Sequence, residues 1–340
     1  MELYVRNWRC IEEVKVDLKP VTLLIGKNST GKSSLAYAPY LLVKLAEWRD
    51  VNRVLTQLYG VELDGVVRST GVEKYYPVVI QAGDSRFEAS SAQDYRVPEG
   101  APWRDGYLLP SQRLSFSKLA QFIPKLGRKI IERSPEAKLL LAFTSSIIEL
   151  LKTLPILPPM YFFLEDFTKL YRGRGFLRLH RLGEVGVLIE EVAPLLNLIT
   201  YEYEDPFTRL KIPLNLAPDG FTDLIIVRIF VEMIPEGSLL VVEEPEIHKN
   251  PLQIIDLIKY MARRAVERGL TLVMTTHSDI ALQALAKTVE EEAIRTSQVA
   301  VYYLERSHEY PWTRIRELKV YEDGTIEELP DVEKAVALLF

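Results

Sequence analysis

The chain has 340 residues, of which 48% are hydrophobic and 26% are charged. These proportions are typical of a globular protein with a sizeable core, and they exclude a largely disordered chain. The formal net charge of −5 excludes a general electrostatic attraction to nucleic acid, although it leaves room for a local basic face.

Cys10 is the only cysteine in the sequence, so no disulfide can form within the chain. This fits a reducing compartment, and we expect a cytoplasmic protein. The most apolar stretch, residues 137–163, is interrupted by Glu149, Lys152 and three prolines. It is a poor membrane span, and we expect no membrane association.

The first elements alternate at the period of a strand over residues 3–5 and 14–18. The short apolar run 21–25 is typical of a buried strand. A glycine-bearing loop follows it, and leucines at helical spacing then predict a helix over residues 33–48, with Pro39 inside it. Two alternating segments on either side of residues 82–85 predict a β-hairpin.

Residues 115–198 are predicted to be mainly helical, with breaks at prolines and at residues 173–175. The elements predicted after them are a hairpin over 200–216, a helix over 221–233, a buried strand over 239–242, a helix over 251–268, a buried strand over 270–274, a helix over 280–287, and strands over 299–304 and 315–320. The predicted fold class is α/β: a mixed sheet with an antiparallel subdomain and a helical insertion. Residues 1–114 and 201–340 are expected to form one core, split by an insertion over residues 115–200.

Residues 26–33 read Gly-Lys-Asn-Ser-Thr-Gly-Lys-Ser, which is the full G-x-x-x-x-G-K-[ST] phosphate-loop pattern. Glycines let the backbone N–H groups wrap a phosphate closely. Lys32 is expected to reach the β- and γ-phosphates of ATP, and the Ser33 hydroxyl is expected to bind Mg²⁺. A chance glycine turn is disfavoured, because a strand pattern precedes the loop and a helix follows it. The predicted nucleotide-binding residues here are Gly26, Lys27, Asn28, Ser29, Thr30, Gly31, Lys32, Ser33 and Ser34.

Two adjacent acids, Glu243 and Glu244, follow the apolar strand 239–242. Hydrolysis of a nucleotide needs one acid to hold Mg²⁺ and a second to orient or deprotonate the attacking water. We assign Glu243 to the metal and Glu244 to the water. The alternative is a solvated acidic loop, which would be the better interpretation if no phosphate loop were present.

His277 follows the buried strand 270–274 and two threonines. Sites of α/β proteins lie at the carboxyl ends of strands, so His277 is predicted to sense the γ-phosphate by a hydrogen bond. The alternative is a structural histidine.

The phosphate loop, residues 239–251 and residues 275–278 together resemble the ATP-binding-cassette (ABC) type ATPase head of the RecF, SMC and OLD (overcoming lysogenization defect) proteins. Within this group the OLD-like ATPases are most similar. Their motif Glu/Asp-Glu-Pro-Glu-x-His-x-x-Pro is matched by residues 243–251.

This resemblance implies a homodimer in which two heads enclose two ATP molecules. The signature motif of one head, Ser-x-Gly at the start of a helix, would cap the nucleotide bound by the other. Pro218 stands in place of the serine, while Gly220 matches and can still offer an N–H group. The resemblance also makes Arg9 a nucleotide-contacting residue, with a surface arginine as the alternative. Gln81 and Gln112 are weaker matches to the family's glutamine loop.

We therefore predict Mg²⁺-dependent ATP binding and hydrolysis. Hydrolysis would drive closure and opening of a head dimer that acts on a partner protein or on DNA. The alternative is a nucleotide-dependent binding module with negligible turnover, which the Pro218 departure allows. A nucleotide subunit of a membrane transporter is disfavoured, because the signature Leu-Ser-Gly-Gly-Gln of that class is absent from the sequence.

Overall fold

The computed structural model describes residues 1–114, 158–171, 177–181, 187–193, 198–205, 207–213 and 216–327. The chain divides into two compact units, one formed by Met1–Pro110 with Val231–Phe340 and the other by Ser111–Phe230. The second boundary therefore falls at residue 230, whereas the sequence led us to expect it at residue 200. Residues 198–204 belong to the second unit because they pair with residues 187–193, and residues 219–230 belong to it through contacts such as those of Asp223 with Arg113 and of Phe230 with Phe163.

Two sheets form the first unit, one of five strands and one of six. The strands of the five-stranded sheet are β1 (Glu2–Trp8), β2 (Ile11–Asp17), β4 (Val78–Ala82), β5 (Ser85–Ala89) and β6 (Tyr95–Arg96). The strands of the six-stranded sheet are β3 (Val21–Gly26), β7 (Gly106–Leu109), β12 (Leu239–Glu243), β13 (Thr271–Thr276), β14 (Val299–Glu305) and β15 (Arg314–Leu318). The five-stranded sheet is antiparallel in the order β2-β1-β4-β5-β6, and it includes the predicted hairpin β4–β5.

The six-stranded sheet has the order β15-β14-β3-β13-β12-β7, and only the edge strand β15 runs antiparallel to its neighbour. Every residue of β3 and β12 is buried, as expected for parallel strands that are covered on both faces. The register pairs Thr276 with Ile25 and Glu243 with Thr275. Strands β3, β13 and β12 therefore end at the same edge of the sheet.

The described helices are α1 (Lys32–Trp48), α2 (Val51–Tyr59), α3 (Met160–Tyr171), α4 (Asp219–Met233), α5 (Pro251–Glu267) and α6 (Asp279–Glu290). Helix α1 contacts strands of both sheets of the first unit, and nearly all of its first thirteen residues are buried. Helix α5 packs on β3, β13 and α6. Asn250 caps α5 by accepting a hydrogen bond from the Gln253 backbone N–H at 3.0 Å, and Pro251 opens the helix.

The second unit contains an antiparallel sheet of β8 (Leu177–Arg181), β9 (Val187–Ala193), β10 (Leu198–Glu204) and β11 (Lys211–Pro213). A buried ion pair joins Arg113 to Asp223 in this unit, with distances of 2.6 and 2.9 Å from the guanidinium to the two carboxylate oxygens. The rings of Phe163 and Phe230 stack at 5.6 Å.

The prediction that residues 115–198 are mainly helical is wrong for residues 177–181 and 187–193, which are strands. Local propensity was a poor guide because the pairing of β8, β9 and β10 is a tertiary feature. Residues 115–157 lie outside the described residues. No helix among the described residues has both the length and the apolar character needed to cross a membrane.

Candidate functional site

The phosphate loop follows β3, and two of its glycines occupy positions where a side chain cannot fit. Gly26 has φ of +154°, and a Cβ atom there would lie 2.2 Å from the Leu304 carbonyl oxygen. Gly31 has φ of +102°, and its Cβ would lie 2.5 Å from Oγ1 of Thr313. The loop can therefore follow this path only because both residues are glycines.

The loop leads directly into α1, whose N-terminus carries no side-chain cap, because Gly31 occupies the capping position. The first N–H groups of the helix are available to an anionic ligand, and the helix dipole favours negative charge at this end. Lys27, Asn28, Ser29 and Ser33 are exposed here, whereas Thr30 and Ser34 are buried.

Lys32 extends back across the loop. Its ammonium group donates hydrogen bonds to the carbonyl oxygens of Gly26 at 2.7 Å and Lys27 at 2.6 Å. Burial lowers the pKa of Lys32 to about 8, and the nearby carboxylates of Glu244, Glu246 and Glu243 act in the opposite direction. The Lys32 ammonium has thus lost hydration by burial, and an anionic ligand would compensate for part of that loss by charge attraction.

Glu243 is the last residue of β12 and is 7% exposed. Its Oε2 accepts a hydrogen bond from the hydroxyl of Tyr37 at 2.6 Å. Burial, reinforced by Glu243, raises the pKa of Tyr37 well above its ordinary value, so the phenol stays protonated and acts as the donor. The carboxylate is therefore held from the side of α1.

Glu244 adopts the left-handed backbone conformation, with φ of 45°. Its backbone N–H still donates a hydrogen bond to Thr275 O at 2.9 Å. The left-handed backbone, however, ends the alternation of side chains along β12. Oε1 of Glu244 lies 3.0 Å from Nε2 of His277. The two adjacent acids therefore face different partners, Tyr37 for Glu243 and His277 for Glu244.

His277 joins the two halves of the site. Its Nδ1 lies 3.2 Å from Nζ of Lys32, and its Nε2 contacts Glu244. Its backbone N–H donates to Oε1 of Glu246 at 2.9 Å, and the same oxygen accepts a hydrogen bond from Oγ1 of Thr276 at 2.6 Å. Glu246 therefore orients the loop that carries the histidine.

The structure shows the surroundings of Arg9 and Gly220, the other predicted nucleotide-contacting residues, and their role stays a prediction. The guanidinium of Arg9 lies over the Tyr59 ring, 4.7 Å from the ring centroid, and the Arg9 backbone N–H donates to Val66 O at 2.7 Å. Gly220 is the second residue of α4 and belongs to the second unit. Gln81, considered for a glutamine loop, uses its side chain within the β4–β5 hairpin.

Sequence reasoning missed the residues that support the loop from a distance. Thr313 Oγ1 lies 2.9 Å from Thr30 O, and the Arg306 guanidinium donates to Ser29 O at 2.8 Å. The sequence carries no signal for either contact, because both residues are more than 270 positions from the loop. Glu246 did carry a signal, since it is the third acid of the Glu-Glu-Pro-Glu run.

The donor set at the loop is suited to Mg²⁺. Ser33 contributes a hydroxyl and Glu243 a carboxylate, which are the hard oxygen ligands that Mg²⁺ prefers. The described part of the chain holds no cluster of three or more His, Cys, Asp or Glu residues able to bind a metal. Mg²⁺ beside a nucleotide is ordinarily held by one or two protein groups together with phosphates and water.

Comparison with known proteins supports the fold of this site. A family model described as the AAA ATPase domain matches residues 1–72. No curated protein matches the sequence. The head of an SMC protein bound to the C-terminal winged-helix domain of ScpA is similar in structure, with a TM-score of 0.52, 13% identity and 98% of each chain covered. An SMC head domain with an extended coiled coil, bound to the C-terminal domain of ScpA from Pyrococcus furiosus, has a TM-score of 0.50 and 11% identity over 99% of this chain and 98% of that one.

The fold is that of the SMC head domains, and the predicted α/β phosphate-loop fold class is confirmed. Both of these similar structures are heads of SMC proteins, and the phosphate loop lies within the stretch that matches the AAA ATPase domain. The narrower resemblance to OLD-like ATPases stays a prediction.

Proposed function

We propose that this protein binds ATP with Mg²⁺ at residues 26–34 and hydrolyses it. The observation that carries this proposal is the chain of contacts from Lys32 through His277 to Glu244 at one edge of the six-stranded sheet. Phosphoryl transfer to water uses a cation at the phosphates, a group that contacts the γ-phosphate and a base for the attacking water. Lys32, His277 and Glu244 are suited to these three roles.

Each residue then has one role. Lys32 exchanges its carbonyl partners for the β- and γ-phosphates, and the N–H groups at the start of α1 bind phosphate oxygens. Ser33 and Glu243 would hold Mg²⁺, which would neutralise phosphate charge when bound. Glu244 orients the attacking water and accepts its proton, and His277 donates a hydrogen bond to the γ-phosphate.

The larger action proposed is ATP-dependent pairing of two heads. Gly220, at the start of α4, would present its N–H to the nucleotide on the other head. The similar SMC heads are bound to domains of ScpA, which supports a partner protein for this chain as well. DNA, the other partner that we expected from the sequence, stays a prediction.

A second candidate is a nucleotide-dependent binding module with negligible turnover. Pro218 is the observation that favours it. This exposed residue stands where the resemblance calls for a serine, so it supplies neither a hydroxyl nor an N–H group. Turnover of an isolated head is therefore expected to be slow in either case.

Phosphate release from ATP, measured with magnesium and with EDTA, separates the two candidates. We expect Mg²⁺-dependent turnover below the range of about 1–100 s⁻¹ found for dedicated kinases. A Glu73→Gln variant, which changes an exposed acid far along the sequence from Glu243 and Glu244, serves as the control. Tight Mg²⁺-dependent ATP binding without any turnover would favour the binding module, and rapid turnover without metal would contradict both.

A further inference from the structure

Ser33 and Tyr37 lie one turn apart on α1, at positions i and i+4. Residues at this spacing share one face of a helix. The proposed metal ligand Ser33 is exposed at the start of the helix, whereas Tyr37 is 4% exposed and touches Glu243, the other proposed metal ligand. One face of α1 therefore carries the proposed ligand Ser33 and also the tyrosine that contacts the other proposed ligand, Glu243.

The contact between Tyr37 and Glu243 is strong for its kind. An O–H group donates to a carboxylate oxygen at 2.6 Å, and both side chains are almost fully buried. Hydrogen bonds to charged groups are shorter and roughly twice as strong as neutral ones. Breaking this one would leave a buried carboxylate with less compensation.

The length of the Glu243 side chain explains why a contact that orders it would matter for metal binding. Compared with aspartate, the other acid that the motif Glu/Asp-Glu-Pro-Glu allows at this position, glutamate adds one methylene and one rotatable bond. Ordering that extra bond costs conformational entropy when a metal binds. A hydrogen bond to Oε2 already limits the side chain before any metal arrives.

Tyr37 is itself firmly held. Its ring centroid lies 5.9 Å from that of Tyr59, and Tyr59 packs edge-to-face on Trp8 at 5.7 Å. All of these rings belong to the first unit. A donor on such a packed aromatic cluster can fix the position of a carboxylate to within a narrow range.

We infer that Tyr37 is a positioning residue that orders the Glu243 carboxylate for Mg²⁺. It acts through Glu243 and touches neither nucleotide nor metal. The inference rests on the proposed function, since it takes Glu243 as a metal ligand.

The test compares nucleotide affinity with and without the metal. Calorimetric titration with adenylyl imidodiphosphate, in excess magnesium chloride and in EDTA, gives the factor by which Mg²⁺ strengthens binding. In Tyr37→Phe we expect this factor to fall about tenfold, the effect of one lost hydrogen bond to a charged group, with the EDTA affinity unchanged.

Tyr59→Phe is the matched control, because it removes a buried hydroxyl from the neighbouring ring and leaves the hydrogen bond between Tyr37 and Glu243 in place. Its magnesium factor is expected to equal that of the wild type. A wild-type factor in Tyr37→Phe would overturn the inference, and so would an equal loss in both variants, since that would reflect loosened packing.

Two further variants complete the design. Glu243→Gln separates the inference from the proposed function. If Glu243→Gln loses the magnesium factor while Tyr37→Phe keeps it, only the role of Tyr37 fails. If Glu243→Gln keeps the magnesium factor, Glu243 is not a metal ligand, and the proposed function fails at that point.

If Tyr37→Phe does not fold, Glu243→Asp provides the second measurement, because the shorter acid withdraws from the Tyr37 hydroxyl. An unchanged factor in Glu243→Asp would overturn the inference.

Discussion

The Nζ atom of Lys32 lies 3.2 Å from Nδ1 of His277, although the two residues are 245 positions apart in the sequence. The first belongs to the helix after β3 and the second to the loop after β13. These strands are neighbours in the six-stranded sheet, so their ends bring the cation of the phosphate loop against the imidazole. We expect the γ-phosphate of ATP to bind where these two side chains meet.

Lys32→Ala is expected to abolish ATP binding, with affinity at least about a hundredfold weaker, because two charge-assisted hydrogen bonds to phosphate are lost. Calorimetry on the purified variant measures this. Lys287→Ala, which removes an exposed lysine paired with Glu290, is the control and should bind as the wild type does. Wild-type affinity in Lys32→Ala would refute the phosphate-loop interpretation.

Glu244→Gln is expected to keep ATP binding but to lower turnover about a hundredfold or more, because an amide cannot accept a proton from water. Glu243→Gln should differ, since it should lose Mg²⁺-dependent affinity as well as turnover. Phosphate release and calorimetry on both variants distinguish the two acids. Normal hydrolysis by Glu244→Gln with none by Glu243→Gln would show that their roles have been interchanged.

The same Glu244→Gln variant reports on the dimer. If hydrolysis opens a pair of heads, the variant should accumulate as an ATP-dependent dimer, because the opening step is blocked. Light scattering with and without ATP reads the mass directly. A monomer with bound ATP would leave the catalytic assignment intact and contradict only the homodimer.

Glu246 offers a test of how the His277 loop is held. Glu246→Ala removes the acceptor for the His277 backbone N–H and the Thr276 hydroxyl, so we expect turnover to fall about tenfold with little change in KM. Glu246→Gln keeps one acceptor oxygen and should recover most of the loss. Equal losses in the two variants would mean that the carboxylate has another role.

Gly31→Ala tests the path of the phosphate loop. Its Cβ would lie 2.5 Å from Thr313 Oγ1 and 2.9 Å from the Cys10 sulfur, in a backbone conformation that alanine disfavours. We expect ATP binding to be lost and the melting temperature to fall. Gly71→Ala is matched in backbone conformation, with φ of +89° and no atom within 4 Å, so it carries only the conformational cost of about 1–2 kcal/mol. Similar behaviour of the two variants would refute the steric argument.

The local patterns of the sequence determined the strands and helices on which the site is built. The phosphate loop could be read from eight consecutive residues, because its glycines and its lysine are needed by the backbone of the loop itself. The ends of β12 and β13 could also be located, since a buried apolar run followed by polar residues shows where a parallel strand stops. These are properties of short segments, and composition and spacing are enough to show them.

Only the tertiary structure decided which side chains support these groups. Tyr37 reads in sequence as one more apolar residue of α1, and Thr313 as part of a late loop, yet one holds Glu243 and the other lies against the phosphate loop. The strands β8 and β9 were hidden for the same reason, because the pairing that forms them is not a local property. Contacts of this kind depend on how distant elements pack, and a linear pattern does not record that packing.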